Sequence, residues 1–449
     1  MNQTQLHEAV PPALPRVVSD KAIEGKDSFL FLGGADANDL EAHLTGARGV
    51  ERGAHTIWSE NVRARRALGD NLHGVIVPEA HVVYSDKLPG WFRVGEDRPV
   101  CVLARRLASH FTYLLDTLRE SRRKGIEVYT GNDSHWTEPA AREGWIAVRP
   151  KLGLRTDFTS GYPADKDREA RDLLVSGASE GQERDLRTWA AINARIVLHT
   201  RILNKGLVCL FHNEKADAGR LLVFGTSFSV RLIPCYVEDF REVLFVYGTS
   251  IDQGIVKLFR PDKIFMEMPE RFLHFPAPDG AAPTTLIGTV ARASLLDDNS
   301  ACFTHAADTQ ALSDPAKEVL ELFREVDNRL TALLSGRSMT GSRTGRHTLM
   351  LDTLFNVAPM LRAEPGLLPI FFGHYRSVPA LYNAFKAVDE GHIDERCLEL
   401  LPNSEMATLI RIRILVRQGR TSEAAALTTT VMDRFGLSQE SKYFAKLLL

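Results

Sequence analysis

Cysteine is scarce in this sequence. Its 449 residues hold only five, Cys101, Cys209, Cys235, Cys302 and Cys397, far apart and odd in number. That pattern excludes a disulfide framework and any thiolate metal site of short spacing. Buried free thiols in a reducing compartment are expected. No stretch approaches 18 consecutive apolar residues, so the sequence predicts no transmembrane helix. Residues 1–21 contain Pro11, Pro12 and Pro15 but no apolar signal-peptide core. A cytosolic chain is therefore expected. Excess charge of either sign is also missing: 55 Lys and Arg stand against 57 Asp and Glu, with a formal net charge of −2. This removes any overall electrostatic case for nucleic acid or an anionic membrane. The local spots Arg105-Arg106 and Arg122-Arg123-Lys124 read as solvated helix faces. There is no G-x-G-x-x-G, no P-loop and no His/Cys/carboxylate cluster, so no nucleotide, metal or other cofactor is expected.

What is present is an ordinary globular composition, 44% hydrophobic and 25% charged. The length exceeds the usual size of one core, so two domains are expected. Residues 1–22 read as a loose arm. Residues 28–34 read as a short buried strand, 55–70 as a helix with Arg outward, and 73–78 as a strand stopped by Pro78. From Val102 to Lys124, Leu103, Leu107, Phe111, Leu114, Leu115 and Leu118 recur at helical intervals, which predicts one long amphipathic helix. A strand over 126–130 and a helix over 140–152 are expected next. Residues 155–190 are polar and Gly-containing, and read as an active-site loop. Further strands are expected at 206–211, 220–224, 242–247 and 261–268, with helices at 229–241 and 256–259 between them. Apolar strands alternating with helices imply a mostly parallel, doubly wound sheet covered on both faces. Beyond about residue 305 the pattern turns all-helical: 315–334, 346–356, 378–388, 407–418 and 421–435. The last pair, joined by Gly419-Arg420, resembles one tetratricopeptide-type hairpin, and a plain bundle fits as well. The expected division is an arm at 1–22, an α/β domain at 23–304 and a helical region at 305–449.

One stretch carries chemistry. Asp133 and His135, two residues apart on backbone leaving the strand 126–130, can point to the same side. A carboxylate there can hold an imidazole in the tautomer a general base needs. The matching nucleophile is sought where an apolar strand meets a turn, at Gly225-Thr226-Ser227. The amide of Ser227, at a strand-to-helix turn, can help receive an oxyanion. Gly248-Thr249-Ser250 follows another strand and offers a rival serine, which spacing alone does not exclude.

Five blocks, in order, carry a resemblance. Gly25-Lys26-Asp27-Ser28-Phe29-Leu30-Phe31-Leu32 is similar to the "GKDGWLFL" opening of the alginate O-acetyltransferase family of SGNH-hydrolase-like proteins. Val75 to Tyr84, followed by Leu88-Pro89, resembles its "VPxKxxxYxxxLP" stretch, with Glu79-Ala80 where the family has its Lys after Pro. Asp133-Ser134-His135-Trp136-Thr137 resembles "DTHWN", and Gly225-Thr226-Ser227-Phe228 resembles "G[DT]S[FY]". Pro261-Asp262 through Glu267, Glu270 and Arg271 resembles "KPDxVxxExxER". The resemblance spans roughly residues 23–275. It implies an SGNH-like α/β fold with Asp133, His135 and Ser227 as catalytic triad, and it favours Ser227 over Ser250. The implied activity is acetyl transfer through an acetyl-serine to a polysaccharide hydroxyl. A carbohydrate esterase with the same triad, or a non-catalytic scaffold of polysaccharide assembly, are the alternatives. Trp136, Tyr84, Glu270 and Arg271 are the expected substrate-binding residues. The implied partners are a glycan acceptor, an acetyl donor such as a membrane O-acyltransferase or acetyl-CoA, and a protein docked by the helical tail. For such a family member a periplasmic location is the alternative to the cytosol.

Overall fold

The computed structural model describes residues 17–19, 22–33, 40–47, 52–108, 110–155, 194–200, 206–274, six positions between 276 and 289, 303–335 and 405–435. The expected loop over 155–190, all but Arg155, and the expected helices at 346–356 and 378–388 lie outside the described residues.

Strands β1 (Val17–Ser19), β2 (Ala22–Glu24) and β3 (Leu30–Leu32) form a small antiparallel sheet, so part of the expected arm is paired strand. Then come α1 (Leu40–Thr45), α2 (Arg52–Arg66), β4 (Leu72–Val77), α3 (Ala80–Val83) and α4 (Pro99–Leu107). They lead to β5 (Phe111–Tyr113), α5 (Leu115–Arg123) and α6 (Glu138–Val148). Next are β6 (Arg195–Thr200), β7 (Val208–His212), β8 (Ala218–Gly225), α7 (Ile233–Asp239) and β9 (Phe240–Tyr247). After α8 (Gln253–Phe259), β10 (Lys263–Pro269) and β11 (Phe303–His305), the described chain ends in α9 (Asp314–Ser335), α10 (Glu405–Arg417) and α11 (Thr421–Phe435).

Eight of these strands make the central sheet, in the order β11-β6-β7-β9-β8-β10-β4-β5. The block β9-β8-β10-β4-β5 is parallel throughout, whereas β11, β6, β7 and β9 pair antiparallel. The sheet is thus mostly parallel by pairing, with an antiparallel flank that the alternation of strands and helices did not announce. Successive residues of each strand enter opposite faces, as the two-residue pleat requires. Leu222, Phe224, Leu244, Ile76 and Met266 pack on one side with α2, α4, α8, α9, α10 and α11. Leu221, Val223, Phe245, Val75 and Phe265 pack on the other with α5, α6 and α7. With both faces covered, the central strands are apolar at nearly every position, which is why they were legible as unbroken runs.

Two differences from the sequence reading bear on the site. The long helix expected over 102–124 is two helices separated by β5. Phe111, Thr112 and Tyr113 pair in parallel with Gly74, Val75 and Ile76, and a three-residue strand is too short for a period-2 signal to oppose the helical spacing of the leucines around it. Nor is 126–130 a strand: only Tyr129 bridges, to Trp136. In the helical region, β11 pairs with β6, and Ala316, Val319 and Phe323 of α9 share one core with Leu409 and Ile410 of α10 and with the sheet. These helices cover one face of the sheet across the expected boundary near residue 304. No helix of the described residues is long and apolar enough to cross a membrane.

Candidate active site

The parallel block brings several segments to one rim, the carboxyl ends of its strands, where an open α/β sheet has its crevice. From β8 come Thr226 and Ser227, from β4 Glu79, from β10 Glu270 and Arg271, and from β9 Tyr247, which is paired with Gly225.

The turn after β8 is close-packed. A Cβ added at Gly225 would lie 2.4 Å from Ser229 Cβ and 2.5 Å from Ser229 Oγ. Glycine is therefore required by contact, so that the chain can fold back into the 3-10 turn Ser229–Leu232. Pro234 then sits in the first turn of α7, where a missing N–H costs nothing. Gly225→Ala is expected to lose about 1–3 kcal/mol by overpacking. A drop of several degrees in the thermal midpoint, together with a fall in any activity carried by Ser227, is the measurement; an unchanged midpoint refutes the contact argument.

The loop from Val128 to Thr137 is held from many sides. Tyr129 Oη donates to Pro78 O, Leu30 N–H donates to Gly131 O, and Thr137 caps α6 by accepting from Ala140 N–H. Trp136 Nε1 donates to Phe228 O at 2.8 Å, tying this loop to the residue after Ser227. The two segments expected to meet do so. His135 Nε2 lies 2.8 Å from Ser227 Oγ, and His135 Nδ1 lies 2.8 Å from Asp133 Oδ1, which also accepts the His135 amide at 2.9 Å. Burial by itself would raise the Asp133 pKa. The hydrogen bonds and charge of His135, with Arg231 beyond, reverse this and hold it below the ordinary value. Asp133 is thus a carboxylate and can only accept. His135 Nδ1 carries the proton, and Nε2 is left to accept from the Ser227 hydroxyl. Phe228 packs on the His135 ring, with centroids 4.8 Å apart. Of the two serines left open by spacing, it is Ser227 that meets His135.

The four expected substrate contacts fare differently. Trp136 is 1% exposed and wedged beneath the loop, so it has no free face for a sugar ring. Tyr84 is likewise buried: its ring stacks on Phe29 and under the Arg122 guanidinium, and its hydroxyl accepts from Val128 N–H at 3.1 Å. Glu270 is fully buried, accepts from Tyr113 Oη, and lies 3.3 Å from Arg98 Nε. Its pKa is raised to about 7 by burial, against the pull of Arg98. In the structure all three are buried against protein groups and support the loop and the rim. Arg271 is 8% exposed, pairs with Glu79 at 3.3 Å and lies over the Phe228 ring.

Two further residues at the rim, Arg231 and Tyr247, escaped sequence reasoning, whereas Glu267 belongs to the fifth sequence block. Arg231 places Nη2 3.5 Å from Asp133 Oδ2 and Nη1 3.6 Å from Glu138. Tyr247 faces Ser227, with its pKa raised by burial so that it stays protonated. Glu267 underlies the nucleophile turn. The signal for Tyr247 was its place at the carboxyl end of an apolar strand; Arg231 carried none beyond its closeness to Ser227 in sequence. No group of His, Cys, Asp and Glu among the described residues is arranged to hold a metal ion.

A scan against protein-family models finds no match, and neither does a search of curated proteins. Among solved structures, a DHHW family protein from Eubacterium siraeum aligns with a TM-score of 0.40 at 12% identity, over 56% of this chain and 91% of that one. Bacillus cereus PatB1 aligns at 0.32 and 9% identity, over 49% of this chain and 90% of its own. The O-acetyltransferase domain of Pseudomonas putida AlgJ aligns at 0.32 and 16%, over 58% and 94%. At these values no residue role passes from them to this chain, and the site stands on its own geometry.

Proposed function

We propose that the protein is a serine-dependent O-acyltransferase that carries an acetyl group on Ser227 and delivers it to a polysaccharide hydroxyl. The observation that carries this reading is the unbroken relay from Ser227 Oγ through His135 to Asp133. In such a relay His135 Nε2 takes the Ser227 proton as Oγ attacks the acetyl carbonyl, and Asp133 stabilises the imidazolium. The proton then passes to the leaving group of the donor, which leaves acetyl-Ser227. The glycan hydroxyl next gives its proton to His135 and takes the acetyl group, which restores the serine. The Ser227 amide and the Tyr247 hydroxyl, which faces Ser227, are the donors this reading assigns to the oxyanion formed in each step. Acetyl as the group, glycan as acceptor and a membrane O-acyltransferase as donor partner are supported by the five sequence blocks. The pattern of blocks also supports a site working outside the cytoplasm rather than in the cytosol.

Hydrolysis is the second reading, favoured by the 15% exposure of the His135 side chain, which admits water to the same base. Incubation with p-nitrophenyl acetate, with and without a glycan oligomer, separates the two. A transferase gives acetylated oligomer and an acetyl adduct in the intact mass. Rapid acetate release with unmodified oligomer supports the esterase, and no turnover of the ester at all refutes both.

A further inference from the structure

The strand next to the nucleophile strand contributes a carboxyl group that the relay does not use. Glu267, near the end of β10, is fully buried. Its Oε2 accepts from Thr226 N–H at 2.8 Å and from Thr226 Oγ1 at 2.9 Å. The Ser229 amide, besides its turn bond to Thr226 O at 3.0 Å, faces the same carboxyl group. One carboxyl oxygen therefore takes both donors of the residue directly before Ser227. Thr226 Oγ1 in turn accepts from Phe228 N–H at 3.3 Å, which extends the hold to the residue directly after the serine. The Arg271 charge also acts on Glu267, but the hydrogen bonds to its carboxyl group come from the Thr226 amide and hydroxyl.

We infer that Glu267 is a positioning residue for Ser227: its buried carboxyl group fixes the turn that sets the distance from Ser227 Oγ to His135 Nε2. This rests on the acyl-transfer reading of the site. A group fixed from both sides of the nucleophile controls how often the hydroxyl stands within reach of its base, and displacement of about 1 Å costs on the order of 10²-fold in rate. Burying a carboxyl group in an apolar sheet is costly by itself. Burial raises its pKa to about 7, against the donors of Thr226, so the hydrogen bonds only partly offset that cost. A Gln at this position keeps a carbonyl oxygen for both Thr226 donors but sets an NH₂, which cannot accept, opposite the Ser229 amide, whereas Ala removes every acceptor.

The test measures kcat and KM for p-nitrophenyl acetate, and the rate at which phenylmethylsulfonyl fluoride labels Ser227, in the wild type, Glu267→Gln, Glu267→Ala and Thr226→Val. The expected result is a fall in kcat and in labelling rate of about 10²-fold in Glu267→Ala with KM within about twofold, part of it recovered in Glu267→Gln. Thr226→Val, which removes one of the donors and keeps the volume, falls by a few-fold in the same sense. A Glu267→Ala protein that labels within about twofold of the wild-type rate overturns the inference. So does a loss in Gln as deep as that in Ala, which marks a purely structural role. If Glu267→Ala does not fold, Thr226→Val decides alone, and wild-type labelling there overturns it. Failure of the wild type itself to label at Ser227 refutes the acyl-transfer reading instead, so the two failures are distinct.

Discussion

Ser227→Ala is expected to lower ester turnover on the order of 10⁴-fold or more and to abolish the acetyl adduct, while Ser250→Ala leaves both near the wild-type level. The size follows from the relay. Without the hydroxyl, His135 and Asp133 have no covalent step to assist, and only binding and oxyanion contacts remain. A 10⁴-fold loss corresponds to about 5.5 kcal/mol of transition-state stabilisation, more than one hydrogen bond supplies, so a residue of merely local structural value does not reach it. Folding is not at stake, because Ser227 is half-buried at the end of the turn and loses only one oxygen. The structure gives the control its force. Ser227 and Ser250 each follow an apolar strand of the parallel block and share the Gly-Thr-Ser sequence, yet His135 Nε2 lies 2.8 Å from the first. Turnover by Ser227→Ala above a tenth of the wild-type rate refutes the assignment.

That pair of serines shows where sequence reading of this site stops. Asp133 and His135 were legible because a two-residue spacing constrains direction, and Ser227 because an unbroken apolar run must end in a turn. Which turn lies opposite the histidine is a matter of strand order. The order β9-β8-β10-β4 puts β8 inside the block and its turn beside the 128–137 loop, and no local pattern records that. The parallel strands were readable because burial on both faces makes them apolar throughout. β5 was not, since three residues between two amphipathic helices share the helices' own spacing. The rim residues divide along the same line. Glu267, Glu270 and Arg271 stand out in sequence as charges beside an apolar strand, which suggests contact with a ligand. In the fold the two carboxyls face inward, with hydrogen bonds to the Thr226 turn and Tyr113 and an ion pair to Arg98. A charge at a strand end means function or support according to which face of the sheet it enters, and that is fixed by register.

Trp136 offers the sharpest test of support against substrate contact. Its indole is 1% exposed, packs against Gly144 of α6, and lies near Phe228, with ring centroids 6.4 Å apart. Its N–H is donated across to the Phe228 carbonyl. Phe228 in turn carries the His135 ring on its face, so the indole is the wedge that holds the histidine loop and the serine turn at one spacing. Trp136→Ala is expected to cost about 3–5 kcal/mol through the cavity it leaves, a large share of the stability of a typical domain. The Phe228 carbonyl also loses its partner. The thermal midpoint should fall by many degrees, and kcat should fall with it on the order of 10²-fold as the relay loosens. Trp136→Phe keeps most of the volume and forfeits the hydrogen bond, so its loss should be about 1–3 kcal/mol, the cost of one buried acceptor left unmet. A sugar platform behaves otherwise: removing it raises KM for the glycan and leaves the melting curve in place. If Trp136→Ala melts like the wild type and binds its acceptor poorly, the indole faces the crevice and the packing described here is wrong. Because the wedge acts on the distance between Ser227 and His135, the expected signature is loss of stability and of kcat together, with the smaller ring recovering part of both.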